Sequence, residues 1–204
     1  MKVQVDKSYP MPSSAEVAWE FLQDLEAVAG CMPGAKINER LEDGRYKGTV
    51  TVKVGPATMS FRGEVEMKEV DIAARSLRLL GKGTDTTGSS AASMNLVARI
   101  EADGAQRCNL VGASEVSMSG KAAAFGGRMM NAVADKILEQ FAANFASRVA
   151  ALQAQRAAPA TVEGGAPAAE AKPAPPVAEE LNGLALVWGL AKDWLRGLFS
   201  RKTA

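Results

Sequence analysis

The residues that most often perform chemistry are scarce in this chain. It contains no histidine and only two cysteines, Cys31 and Cys108. Without histidine there is no imidazole to act as general base, none to activate a serine or cysteine, and none to bind a metal. The cysteines are far apart and neither belongs to a CxxC pair, so neither a zinc site nor a disulfide is expected. Glu64 and Glu66 share one face of an alternating segment, where water is their expected neighbour. Asp71, Asp85, Asp103 and Asp135 occupy turn positions or a helix surface rather than forming acid/base pairs. Tyr46 reads as a strand packing residue. Gly81-Lys82-Gly83 and Gly126-Gly127-Arg128 are too short to cradle a phosphate. The pattern specifies no catalytic residue and no metal ligand.

Charge excludes further classes. Lys and Arg number 24 against 23 Asp and Glu, a net charge of +1. Aromatic residues are 5% of the chain and are not interleaved with basic ones. Neither the electrostatic footprint nor the stacking platform of a nucleic-acid binder is present. The first residues, MKVQVDKSYP, alternate instead of forming an apolar run, so a cytoplasmic domain is expected.

Apolar periodicity then gives the elements. Val3 and Val5 alternate with Lys2, Gln4 and Asp6, which predicts a strand stopped by Pro10 and Pro12. Ser13 or Ser14 can cap a helix with Val17, Ala18, Phe21, Leu22 and Leu25 on its apolar side. Gly30-Cys31-Met32-Pro33-Gly34 forces a turn. From Ala35 to Met118 the chain reads as about six antiparallel strands. The clearest alternates Met59, Phe61, Gly63, Val65 and Met67 against Ser60, Arg62, Glu64, Glu66 and Lys68, as expected of a sheet covered on one side. Leu77, Leu79, Met94, Leu96, Ala98, Ile100, Cys108, Leu110, Val116 and Met118 are the other interior candidates.

A long helix over Ala122–Gln153 follows, about 45 Å at 1.5 Å per residue. Its apolar face carries Met130, Val133, Ile137, Phe141, Phe145, Val149 and Leu152, and Gly126 and Gly127 break its first turns. The predicted fold is α+β, a curved antiparallel sheet wrapped around this helix. Residues 1–153 form the domain. Residues 154–178 are an Ala/Pro-rich linker with too little apolar surface to fold.

Residues 179–204 turn apolar again. Leu184, Trp188, Trp194, Leu195, Leu198 and Phe199 fall on one side of a helical pattern that ends in Arg201-Lys202. The uninterrupted apolar portion is about half the roughly 20 residues needed to span a bilayer. A helix lying in the headgroup interface fits better, and docking on a partner's groove or on the chain's own domain is the alternative.

The methionines Met59, Met67, Met94, Met118, Met129 and Met130 are adaptable side chains. They either line a loose apolar cavity or plug gaps in a filled core, and periodicity does not choose between these.

Several motifs in order resemble the carbon monoxide dehydrogenase G-subunit family, within the START-like superfamily. They are Gly30 to Gly34, Tyr46-x-Gly48 with Val52-Lys53-Val54-Gly55-Pro56, Phe61-x-Gly63, Gly81-Lys82-Gly83-Thr84-Asp85 before Gly88-Ser89, and Phe141-Ala-Ala-Asn-Phe145. The resemblance covers residues 1–153 and implies a helix-grip fold with a hydrophobic cavity. It also implies a non-enzymatic accessory role to a molybdenum-containing carbon monoxide dehydrogenase or related hydroxylase, at the cytoplasmic face of the inner membrane. No intrinsic cofactor is expected. A quinone, menaquinone or ubiquinone, is the implied guest. The alternation of the strands and the apolar stripe of the helix, not the resemblance, give Val52, Phe61, Leu79, Met94, Leu96, Leu110, Met130, Val133 and Ile137 as its expected lining. An adaptor that carries nothing, and an enzyme acting on a hydrophobic substrate in the same cavity, are the competing functions.

Overall fold

The computed structural model describes residues 1–157. The predicted linker beyond Ala157 and the tail at 179–204 lie outside the described residues.

The element order is β1 (Lys2–Met11), α1 (Ala15–Gln23), α2 (Leu25–Ala29), β2 (Ala35–Arg40), β3 (Tyr46–Val54), β4 (Ala57–Asp71), β5 (Ser76–Asp85), β6 (Ser90–Ala102) and β7 (Cys108–Gly120). A short 3-10 segment, Lys121–Phe125, then leads into α3 (Gly126–Ala157). The seven strands form one antiparallel sheet in the order β1-β7-β6-β5-β4-β3-β2. Only the β1–β7 pairing joins strands distant in sequence. It brings the first strand beside the last, and α3 makes its main sheet contacts with β1 and β3. This is the helix-grip arrangement.

Two boundaries differ from expectation. Pro10 does not end β1, which continues to Met11 with Pro10 opposite Asn109. β1 is an edge strand, and a proline is tolerated where its missing N–H faces no partner. The long helix begins at Gly126 rather than Ala122, because residues 121–125 wind as a 3-10 segment and Gly126 has φ 78°. At its other end α3 runs past Gln153 to Ala157.

Local chemistry explains the helix starts. Ser14 caps α1 by accepting from the Val17 N–H at 3.4 Å, and Asp24 caps α2 by accepting from Glu26 and Ala27 at 3.1 and 3.0 Å. The Ser14 N–H donates to Gln153 Oε1 at 3.0 Å, which pins the start of α1 to the end of α3.

Curvature has a visible cause. Gly48, Gly63 and Gly83 lie opposite one another on three adjacent strands. A Cβ on Gly63 would stand 2.0 Å from the Lys82 carbonyl oxygen, and one on Gly48 2.7 Å from that of Lys36. The backbones approach too closely there for any side chain, so a line of glycines lets the sheet bend.

The core is uneven. The larger cluster packs Trp19, Leu22 and Leu25 from the short helices, Leu77, Leu79, Ile100, Cys108 and Leu110 from the sheet, and Ala142, Phe145 and Val149 from α3. Phe145 is fully buried, with the Phe21 ring edge-on at 5.0 Å and Phe141 at 5.8 Å. A smaller cluster, Val3, Met118 and Ala122, lies under the start of α3 with Met59, Phe61, Val116 and Met130 half-buried around it.

Candidate functional site

The pairing register decides which side chains face α3. Residues directly opposite in an antiparallel sheet share a face. One row runs Tyr46, Val65, Gly81, Met94, Val116, Val3, and the next but one along the strands runs Leu77, Ala98, Gly112, Lys7. Between them lies Met67, Leu79, Leu96, Ser114, Val5. The six sheet residues expected to line a cavity, Val52, Phe61, Leu79, Met94, Leu96 and Leu110, all belong to this inner face.

They do not share one environment. Leu79 and Leu110 are buried in the larger cluster with Phe145. Val52, Phe61, Met94 and Leu96 are half-buried, as are Met130, Val133 and Ile137 on α3. From Gly126 through Phe141 no residue of α3 is buried; burial begins at Ala142. The C-terminal half of the helix is thus packed tightly on the sheet and its first half loosely. Met129, one of the methionines that could line a cavity or plug the core, is 42% exposed.

Polar groups on the inner face carry the same message. Tyr9 and Ser114 are half-buried. Neither hydroxyl has a hydrogen-bond partner among the described residues, and no buried side-chain oxygen or nitrogen there is left unsatisfied. Both hydroxyls therefore open onto space that the described residues do not fill. Ser114 stands on β7, opposite Val5 of the edge strand β1, so that space lies toward the β1 side of the sheet.

Lys7 also faces inward. Its Nζ stands 2.8 Å from Asp135 Oδ1 on α3, an ion pair that spans sheet and helix. Hydrogen bonding to Asp135, followed by its charge, raises the Lys7 pKa above the usual lysine value. Burial raises that of Tyr9, partly offset by the Lys7 charge, with Glu139 adding to the rise. Sequence periodicity missed Lys7, Tyr9 and Ser114, because polar side chains on an apolar stripe read as exceptions. The available signal was phase: Lys7 and Tyr9 continue the odd-numbered series of Val3 and Val5.

The carboxylates Glu64, Asp71 and Asp103 have other partners. Glu64 pairs with Arg45 on the outer surface, Asp71 accepts from the Ala74 N–H in a turn at 2.9 Å, and Asp103 lies near Arg107 at 3.8 Å. Tyr46 packs against the larger cluster beneath Arg40. Among the described residues no group of three His, Cys, Asp or Glu could hold a metal ion. None of their helices is long and apolar enough to cross a membrane. The expected membrane-facing residues Leu184, Trp188, Trp194, Leu195, Leu198 and Phe199 lie outside the described residues.

Two grooves lie elsewhere among the described residues. One, of about 370 Å³, runs between α2 and β2 beside Ile37. The other, of about 520 Å³, lies between α1 and the end of α3, beside Phe21 and Leu152. Neither is lined by any of the expected cavity residues.

Solved structures share the fold. A conserved protein from Geobacillus kaustophilus superposes with a TM-score of 0.65 at 19% identity, covering 73% of this chain and 96% of that one. A START superfamily protein from Mycobacterium smegmatis does so at 0.50 and 21%, covering 73% and 98%. A norcoclaurine synthase point mutant from Thalictrum, in complex with a transition-state analogue, reaches 0.51 at 14%, covering 78% and 98%. At these identities the likeness extends to the fold. No curated protein matches the sequence. The family model for the G subunit of carbon monoxide dehydrogenase (CoxG) matches residues 10–150, and the chain belongs to that family.

Proposed function

We propose that this protein is a non-enzymatic accessory carrier that holds a hydrophobic guest between the sheet and the first half of α3. The observation that carries the reading is the contrast within α3: fully buried Phe145 and Val149 at one end, half-buried Met130, Val133 and Ile137 at the other. Apolar side chains left only half-buried on an inner face favour an apolar occupant, since each CH₂ removed from water contributes about 0.8 kcal/mol. Such a sleeve needs no acid, base or metal, in keeping with a chain that has no histidine.

Membership of the CoxG family supports a partner of the molybdenum-containing carbon monoxide dehydrogenase or related hydroxylase class. An isoprenoid quinone, menaquinone or ubiquinone, is the guest that would link such an oxidoreductase to a membrane. The sequence of 179–204, with Trp188 and Trp194 among leucines and a basic end, supports peripheral attachment at the cytoplasmic face. The Ala/Pro-rich linker would let the loaded domain reach its partner.

Solvent extraction of the purified full-length protein, followed by mass spectrometry, tests carriage. A co-purifying quinone or other lipid is the expected result. A protein with no extractable guest and no uptake on titration would instead be a recruitment adaptor.

A further inference from the structure

Beyond the presence of a sleeve, its inner face has two chemically distinct ends, and this inference rests on the carrier reading above. At one end Met59, Phe61 and Met130 offer apolar surface. At the other, Lys7, Tyr9 and Ser114 form a polar island at the border with the packed cluster. Lys7 lies opposite Gly112, and Ser114 opposite Val5, so the two are diagonal neighbours across the β1–β7 pair. Tyr9 is the next inward residue after Lys7. Gly112 leaves room beside them: a Cβ there would approach nothing closer than Leu96 Cδ1 at 3.8 Å.

From these positions we infer that Lys7, Tyr9 and Ser114 form the head-group end of the site and select an uncharged, hydrogen-bonding head, a ring or ester carbonyl, on an apolar tail. The Tyr9 and Ser114 hydroxyls can each donate to a carbonyl oxygen, and neither has another partner among the described residues. Charge decides against acids. The Lys7 cation is already paired with Asp135 at 2.8 Å, and Glu139 adds a second carboxylate close enough to act on both Lys7 and Tyr9. With one cation and two anions around the island, a fatty-acid carboxylate or lipid phosphate meets net negative charge. A carbonyl meets only donors. The guest therefore lies with its head near Ser114 and its tail directed toward Phe61 and Met130.

The test uses the full-length protein and three fluorescence-monitored probes: N-phenyl-1-naphthylamine, which has no carbonyl; decylubiquinone, with a neutral dicarbonyl head; and oleate. Wild type should bind decylubiquinone at least about tenfold more tightly than oleate. Tyr9→Phe and Ser114→Ala should each weaken decylubiquinone about three- to tenfold, the range expected for one hydrogen bond, and leave N-phenyl-1-naphthylamine unchanged. Asp135→Asn, which frees Lys7 and removes one anion, should strengthen oleate binding by a similar factor. Equal binding of oleate and decylubiquinone by wild type, or unchanged decylubiquinone binding in both hydroxyl variants, overturns the head-group assignment while the carrier reading stands. Failure of wild type to take up any of the three probes overturns both.

Discussion

The Asp85 carboxylate accepts from the Ser90 N–H at 2.7 Å across the β5–β6 turn. The Ser90 hydroxyl accepts in turn from the Ala122 N–H at 3.0 Å, with both Ser90 and Ala122 buried. A hairpin turn is thereby tied to the segment that launches α3. The Lys121 N–H reinforces the tie by donating to the Ser89 carbonyl at 3.1 Å. The helix is thus held firmly just before Gly126 and again at Phe145, while the stretch from Gly126 through Phe141 has no buried residue.

That tie should be sensitive to acid. The Thr87 hydroxyl, bonded to Asp85 at 2.6 Å, does most to hold the carboxyl below its usual 3.8; burial opposes it and the Ser90 N–H assists. A carboxyl depressed in the folded state contributes stability above its unfolded value, and that contribution is lost as pH falls through the lower folded value. Urea midpoints should therefore fall as pH drops below 3.8. Asp85→Asn should be less stable than wild type at neutral pH and should show a flatter dependence across that acid window. Parallel curves for the two proteins would remove Asp85 from this role.

The two halves of α3 should respond differently to truncation. Phe145→Ala empties a fully buried, ring-packed position and is expected to cost about 3–5 kcal/mol. Ile137→Ala, at a half-buried position, should cost less than the roughly 2–5 kcal/mol of a fully buried isoleucine, since less of its side chain is removed from water. Denaturant unfolding of both variants measures the contrast, and similar losses would mean that the first half is packed as firmly as the second.

The inner face was legible in the sequence because period 2 is rigid: Met59, Phe61, Gly63, Val65 and Met67 keep one phase through β4, with a register shift only after Met67. Pro10 misled because a single strand does not announce whether it will be an edge. The start of α3 misled because Ala122 to Phe125 have helical composition, and only the positive φ of Gly126 separates the 3-10 segment from the helix. Lys7, Tyr9 and Ser114 stayed hidden for a different reason. Their roles depend on the β1–β7 pairing, a contact between strands at opposite ends of the domain, and on Asp135 arriving from α3.

Both cysteines should behave as core residues. Cys31 and Cys108 are buried free thiols, and burial raises the pKa of each above the usual value, which lowers the reactive thiolate fraction. Cys31 is further fixed by the Asn144 side chain, which donates to its carbonyl at 2.9 Å. A colorimetric thiol reagent should label neither in the native protein at neutral pH and both of the 2 cysteines once the chain is unfolded. Rapid native labelling would contradict the burial.

Membrane attachment, if it resides in the tail, should separate cleanly from folding. The domain's buried clusters draw on residues from Val3 to Val149, and ending the chain after Pro176 keeps all of those residues. The shortened protein should leave the membrane pellet for the soluble fraction with a nearly unchanged thermal midpoint. Replacing Trp188 and Trp194 together with Glu should act alike, because each charge would then face the hydrocarbon boundary at a cost of about 1–3 kcal/mol, depending on depth. Guest extraction from the shortened protein distinguishes two routes of loading. Loss of the guest along with the pellet means that the tail delivers the domain to its lipid source. A guest retained in the soluble form means that the sleeve fills without anchorage. A shortened chain that still pellets places the attachment on the domain itself.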